Sequence, residues 1–134
     1  MIFLRSLLFN AIFFPVSAAV VLLGLLLLAA PPGWTIAYVR GWARWVVWLL
    51  RLVCGIRLEV QGRENLPAGP CVIAAKHQSA FDTIVWLVLL PAPAYVLKKE
   101  LLSIPIWGRL ARRCGHIAVD RAAGASALRG MVKE

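Results

Sequence analysis

Residues 6–39 contain no charged side chain, and residues 6–30 are almost continuously apolar, interrupted only by Asn10, Pro15, Ser17 and Gly24. As a helix, 6–30 runs about 37 Å at ~1.5 Å per residue, enough to cross a ~30 Å hydrocarbon core with some tilt. Pro31-Pro32-Gly33 reads as its stop. A signal peptide is the competing reading, with Arg5 as a weak basic start and Val16-Ser17-Ala18 as a cleavage site. The apolar run continues well past that point, which favours an uncleaved anchor. A second helix is predicted over 37–53. At about 100° per residue Arg40, Arg44 and Arg51 fall within about 40° of one another, while Trp42, Trp45, Leu49, Leu52 and Val53 occupy the opposite half. A narrow basic stripe beside a broad aromatic face suits the headgroup level of a membrane. The alternative is a helix packed on the first, its arginines merely solvated.

From residue 55 the period shortens. Residues 56–60 alternate apolar and polar as a half-buried strand does, and 64–70 is a turn. The short apolar run 71–75 reads as a buried strand, followed by a polar loop 76–81 and an apolar helix 82–90 that Pro91 and Pro93 stop. A strand is predicted over 94–97, a helix opened by Pro105 and closed by Gly115, a strand over 117–119 and a helix from Ala122. Strands alternating with helices indicate an α/β domain. The expected organisation is a membrane-anchoring region over 1–54 and an α/β domain over 55–134. The last predicted helix lacks a Gly, Asn or Pro ending, so the chain reads as the front part of a longer domain.

Composition sharpens the membrane reading. Hydrophobic residues make up 61% of the 134, against a usual ~45–50% even with Gly counted. This excludes a disordered chain and argues against an ordinary small soluble domain. Fifteen Lys and Arg face six Asp and Glu, a net charge of +9. Nucleic-acid binding is the other usual meaning of such a balance, but the basic residues lack an aromatic-interleaved patch outside the Trp-rich helix, so no nucleic-acid partner is expected. The positive residues lie mostly after the first hydrophobic segment, which by the positive-inside rule puts the rest of the chain on the cytoplasmic face of the cell (inner) membrane. Cys54, Cys71 and Cys114 are odd in number and widely spaced, giving neither a disulfide framework nor a zinc site. No metal site is expected, since His116 is the only other histidine besides His77 and no ligand spacing recurs.

The chemistry-bearing stretch is Lys76-His77-Gln78-Ser79-Ala80-Phe81-Asp82. In one continuous helix His77 and Asp82 point about 140° apart, but a turn followed by a helix starting near Asp82 lets them meet. An aspartate in a first helical turn is favoured as the anion by the macrodipole. It can then hold one ring nitrogen of His77 and raise the basicity of the other, making a general base for a substrate hydroxyl. From spacing alone, an ordinary Asp helix cap beside a loop histidine remains open.

This stretch resembles the H-x-x-x-x-D block of the glycerolipid acyltransferases, and its surroundings resemble the bacterial 1-acyl-sn-glycerol-3-phosphate acyltransferases. Val60-Gln61-Gly62-Arg63-Glu64-Asn65-Leu66-Pro67 resembles the segment before the block, and Lys98-Lys99-Glu100-Leu101-Leu102-Ser103-Ile104-Pro105-Ile106-Trp107-Gly108 the link after it. Gly115-His116-Ile117-Ala118-Val119-Asp120-Arg121 resembles the second block. The resemblance covers about residues 55–130. The chain departs from it at Lys76, where Asn is common, and at Ala118, where Phe is common; the third block, Glu-Gly-Thr-Arg, and the fourth are absent from these 134 residues. The resemblance implies membrane-anchoring helices followed by the N-terminal part of an acyltransferase α/β domain, incomplete and as such expected to be inactive by itself.

It further implies a base at His77 oriented by Asp82, acting on the free hydroxyl of a lysophosphatidate that attacks acyl-CoA or acyl-carrier protein. No cofactor is implied beyond that co-substrate. Arg121 is the first candidate for the acceptor phosphate, with Lys76, Lys98 and Lys99 as secondary contacts. Arg40, Arg44 and Arg51 are assigned to the membrane surface and its lipids. Arg109, Arg112 and Arg113, on one face of their predicted helix, are assigned to anionic headgroups or an acidic carrier, or else simply to water. Two alternatives stand beside phosphatidate synthesis: acylation of another lyso-lipid, such as lyso-ornithine lipid or a lysophospholipid, and a non-catalytic lipid-binding paralogue.

Overall fold

The computed structural model of the chain describes residues 1–120 and residue 122. It is helix-rich. Helix α1, Ile2–Gly24, continues as a 3-10 turn, Leu25–Ala29, and α2, Pro32–Leu49, runs on through a π-helical turn, Leu50–Cys54. Then come α3, Asp82–Leu89; β1, Val96–Lys98; a 3-10 turn, Lys99–Ser103; α4, Trp107–Arg113; and β2, Ile117–Val119.

The first hydrophobic stretch forms the expected helix, and by length and composition Ile2–Ala29 is apolar enough to cross a membrane, with hardly any of it buried. Pro31-Pro32-Gly33 stops that helix but also starts the next, five residues earlier than the periodicity indicates. Pro32 sits in the first turn of α2, where its fixed φ is an asset and its missing N–H costs nothing. The second helix returns along the first. Tyr38 Oη donates to Val20 O at 2.9 Å, Trp42 Nε1 to Ser17 Oγ at 3.1 Å, and the Trp42 ring lies 6.3 Å from that of Phe13.

Trp42 is thus turned onto α1 rather than left free for a headgroup layer, and with Trp45 it lines a cavity of about 360 Å³ between the two helices. The helical wheel sees only that one face is apolar; whether protein or lipid covers it depends on chain 25 residues away in sequence. The remainder of that face builds the core: Ala43 and Val46 of α2 are buried against Ile84 and Leu87 of α3, with Phe9, Phe13 and Tyr95 packed around them.

Two arginines meet the free carbonyls at the end of α3. Arg40 Nε donates to Leu87 O at 3.2 Å, and Arg63 Nη2 to Leu89 O at 3.4 Å. A helix leaves its last four carbonyls without internal partners, and cationic donors there are favoured by the macrodipole.

The strands β1 and β2 pair in parallel, Val96 with Ile117, Leu97 with Ala118 and Lys98 with Val119. Parallel pairing needs a crossover, here the 3-10 turn plus α4. Helix α4 starts at Trp107, two residues after Pro105, because Ile106 takes a left-handed backbone, φ 63°. Its end has the expected pattern: Gly115, φ +76°, lets its own N–H reach Arg112 O at 3.0 Å and that of His116 reach Ala111 O at 3.2 Å, a Schellman ending. Strand β1 lies two residues later than expected at its start and one later at its end, and α3 is one residue shorter.

The strands expected over 56–60 and 71–75 do not form. Apolar alternation marks a segment able to join a sheet, but a strand exists only when a neighbour takes up its backbone groups. Among the described residues only β1 and β2 are paired, and Val72 is 98% exposed. Beyond Ala122 itself, the helix expected from that residue lies outside the described residues.

Candidate active site

The segment 76–82 turns as the chemistry requires. Asp82 opens α3 and its Oδ2 accepts three hydrogens: the backbone N–H of Ser79 at 2.8 Å, that of Gln78, and Nδ1 of His77 at 3.2 Å. Ser79 Oγ accepts the N–H of Phe81 at 3.2 Å, and Thr83 Oγ1 donates to Ala80 O at 2.7 Å. Ser79 and Asp82 reciprocate across three positions in the manner of a capping box, the hydroxyl serving a forward N–H and the carboxylate reaching back. The Ser79-x-x-Asp82 spacing was available in the sequence as a start signal. Read that way, it marks Ser79 and the Gln78 N–H as the groups that hold the carboxylate.

These bonds set the electrostatics. The N–H groups of Ser79 and then Gln78 hold the Asp82 carboxyl below its ordinary value of 3.8, with His77 adding to the effect. Asp82 is therefore an anion at neutral pH, and His77 Nδ1 carries the proton of the shared bond. In the neutral ring this tautomer leaves the lone pair on Nε2, and the side chain is 70% exposed. Such an arrangement can take a proton from a hydroxyl brought to Nε2 and stabilise the imidazolium that results.

The pair has a definite response to acid. A carboxylate with a depressed folded-state pKa stabilises its turn fully above pH 3.8 and loses that contribution as pH falls through the lower folded value. The Gln78 and Ser79 amide proton shifts are expected to titrate together with a midpoint below 3.8. A midpoint at or above it, followed by NMR, contradicts the bonding described.

Lys76, Lys98 and Lys99 are all exposed. The parallel register sets Lys98 opposite Val119, and Lys99 Nζ lies 3.6 Å from Asp120 Oδ2, so these lysines gather beside the end of β2. That ion pair is open to water and contributes little to stability. Lys76 is next to His77 in sequence. Among the described residues no hydrogen bond or ion pair joins any of these lysines to His77 or Asp82. Arg121 lies outside the described residues. Of the arginines assigned to the membrane surface, Arg44 and Arg51 are exposed, whereas Arg40 is half-buried and engaged with the end of α3.

His116 serves the sheet. Its Nδ1 accepts the N–H of Tyr95 at 3.3 Å and its ring meets the Tyr95 ring edge-on at 5.2 Å. Burial pushes its pKa down and that of Tyr95 up to about 12, so both are neutral at pH 7.

Residues 57–134, more than half of the chain, match the family model described as Acyltransferase. Over 96 residues the chain is 42% identical to the 1-acyl-sn-glycerol-3-phosphate acyltransferase of Pseudomonas aeruginosa, covering 72% of this chain and 37% of that protein. It is 33% identical over 88 residues to the protein of the same name from Limnanthes alba, covering 64% of this chain and 29% of that one. Over 66 residues it is 38% identical to lysophosphatidylcholine acyltransferase 1 of Rattus norvegicus, covering 48% of this chain and 12% of that protein. The matches thus span little more than a third, or less, of each of these curated relatives. No solved structure matches the chain. With its histidine and aspartate joined across the turn that opens α3, and with the family model matched from residue 57 onward, the chain belongs to the Acyltransferase family.

Proposed function

We propose that the intact protein transfers a fatty acyl group from acyl-CoA or acyl-carrier protein to the free glycerol hydroxyl of 1-acyl-glycerol-3-phosphate, giving phosphatidate. The observation that carries this reading is the 3.2 Å bond from His77 Nδ1 to Asp82, which commits one ring nitrogen and frees the other. His77 Nε2 accepts the hydroxyl proton as the oxygen attacks the thioester carbonyl. The tetrahedral intermediate collapses with cleavage of the C–S bond, and the imidazolium returns its proton to the departing thiolate. Asp82 keeps the ring in the productive tautomer and balances its transient charge, as the acidic member of a triad does. The names of the Pseudomonas and Limnanthes relatives favour this acceptor.

The acceptor phosphate needs cationic partners. Lys98 and Lys99 at the end of β1, Arg121 beyond β2 and Lys76 beside the base are the residues we assign to it. The domain division falls between 54 and 55, and Arg5, Arg51 and Arg57 around the apolar stretch favour the cytoplasmic face of the inner membrane.

The test is direct. The intact protein, given labelled 1-acyl-glycerol-3-phosphate and a long-chain acyl thioester in detergent micelles, is expected to form phosphatidate with release of free thiol. Preference for lysophosphatidylcholine in a competition between acceptors replaces this reading with a lysophospholipid acylation, for which the rat relative's name speaks. Absence of turnover with any lyso-lipid overturns both.

A further inference from the structure

Helix α4 buries Leu110 and Ala111, and Leu110 closes on Gly24 so tightly that a Cβ built on that glycine falls 2.7 Å from Leu110 Cδ1. This contact docks α4 on the end of α1, where the apolar helix passes into the turn Leu25–Ala29. The remaining face of α4 carries Arg109, Arg112 and Arg113, spaced to share one side. Together with Leu28 they line an open cavity of about 450 Å³.

Three features of this corner are unusual in combination. Arg113 is half-buried, and its Nε is enclosed without a hydrogen-bond partner among the described residues. Among the described residues no carboxylate lies within 4.0 Å of the three guanidinium groups, the ion pairs there being His77–Asp82 and Lys99–Asp120. Leu28, which lines the same cavity, belongs to the span Ile2–Ala29, apolar enough to cross a membrane and with hardly any of it buried. A buried donor without an acceptor costs free energy, as does leucine surface in water. One ligand answers both: an anion with a hydrocarbon tail.

We propose that this corner binds the phosphate headgroup of an anionic phospholipid, with an acyl chain running from Leu28 along the apolar span Ile2–Ala29. Free phosphate satisfies the arginines but leaves in water Leu28 and the apolar span to which it belongs, and an acidic protein surface does the same. The site shares no residue with the turn at 76–82 or with the cations assigned to the acceptor. It rests on α1 lying in the membrane and is independent of the catalytic reading.

The experiment uses the intact protein in phosphatidylcholine vesicles doped with spin-labelled phosphatidylglycerol or, in parallel, spin-labelled phosphatidylcholine. The motionally restricted fraction is expected to favour phosphatidylglycerol by at least about fivefold, the effect of a single arginine at a charged surface. The variant R109Q/R112Q/R113Q should abolish that preference. The variant R109K/R112K/R113K should keep most of it, and Arg57→Gln, an exposed charge elsewhere, should leave it unchanged. Preference surviving in the glutamine variant overturns the proposal. So does equal loss in Arg57→Gln, which indicates diffuse charge, and so does erasure of the preference by inorganic phosphate, which indicates a site without lipid specificity. If neither label is restricted, α1 is not in the bilayer and the proposal fails with it. Phosphatidate formation measured on the same variants separates this outcome from failure of the catalytic reading, which His77→Ala reports instead.

Discussion

His77→Ala in the intact protein is expected to lower kcat for acyl transfer by roughly 10³-fold, the usual contribution of a positioned general base. Its thermal unfolding should move by no more than about 0.5 kcal/mol, because the ring is 70% exposed and packs on nothing that needs it. KM for the lyso-lipid should change little, since the phosphate is assigned to other residues. Asp82→Asn is the informative companion. It keeps the shape of the side chain but removes the charge that Ser79 and Gln78 stabilise. It should therefore reduce kcat and also abolish the acid titration of the two amides, whereas His77→Ala affects turnover with the titration largely retained. Activity surviving in His77→Ala removes the base from the mechanism.

Gly108→Ala is expected to cost about 3 kcal/mol of folding stability, the upper part of the range for forcing an extra carbon into packed structure. A Cβ at this position falls inside the Leu102 carbonyl group, 2.6 Å from its carbon. The obstruction is backbone, so no side-chain rotation relieves it. Relief requires α4 to lift off the Lys99–Ser103 turn, and the neighbouring Ile106 already holds a left-handed φ of 63° that costs an isoleucine of order 1–3 kcal/mol. Gly41→Ala is the control: nothing lies within 4 Å of its added Cβ, and a glycine inside a helix is replaced by a better helix former. Chemical unfolding of the two variants in the same detergent should shift in opposite directions, with Gly41→Ala gaining up to ~1 kcal/mol. Equal midpoints for Gly108→Ala and the parent remove the close contact.

The turn at 76–82 was legible because its determinants are local. A histidine, a turn and an aspartate at the start of an apolar segment suffice, and all lie within seven residues; the Ser79-x-x-Asp82 pairing shows that more was written there than a pair of chemical groups. Helix α4 and the strands it joins were legible for the same reason, with Gly115 ending the helix as glycine does. What escaped depends on distant chain. The apolar face of α2 was plain from its spacing, yet the same spacing serves a lipid surface or a neighbouring helix, and only the Trp42–Ser17 and Tyr38–Val20 bonds distinguish them. Arg40 has as its partner a carbonyl 47 positions onward, which no local pattern encodes. The segments 56–60 and 71–75 have strand composition without a partner, since alternation specifies a face and not a neighbour. Ile106 illustrates a fourth case. A β-branched residue is a poor guide to a positive φ, which here falls between the Lys99–Ser103 turn and α4.

The return of α2 along α1 decides which flanks share an aqueous compartment. Val20 meets Tyr38, Ser17 meets Trp42 and Arg5 lies beside Gly55, so each step toward the amino end of α1 is matched by a step toward the carboxyl end of α2. A single crossing helix delivers its two flanks to opposite compartments; a folded-back pair delivers both to one. In a membrane that takes up both helices, Arg5 and the chain leaving Gly55 toward residues 76–82 would therefore face the same water. In sealed, oriented vesicles an impermeant reagent that reaches a label at position 5 is thus expected to reach His77 as well.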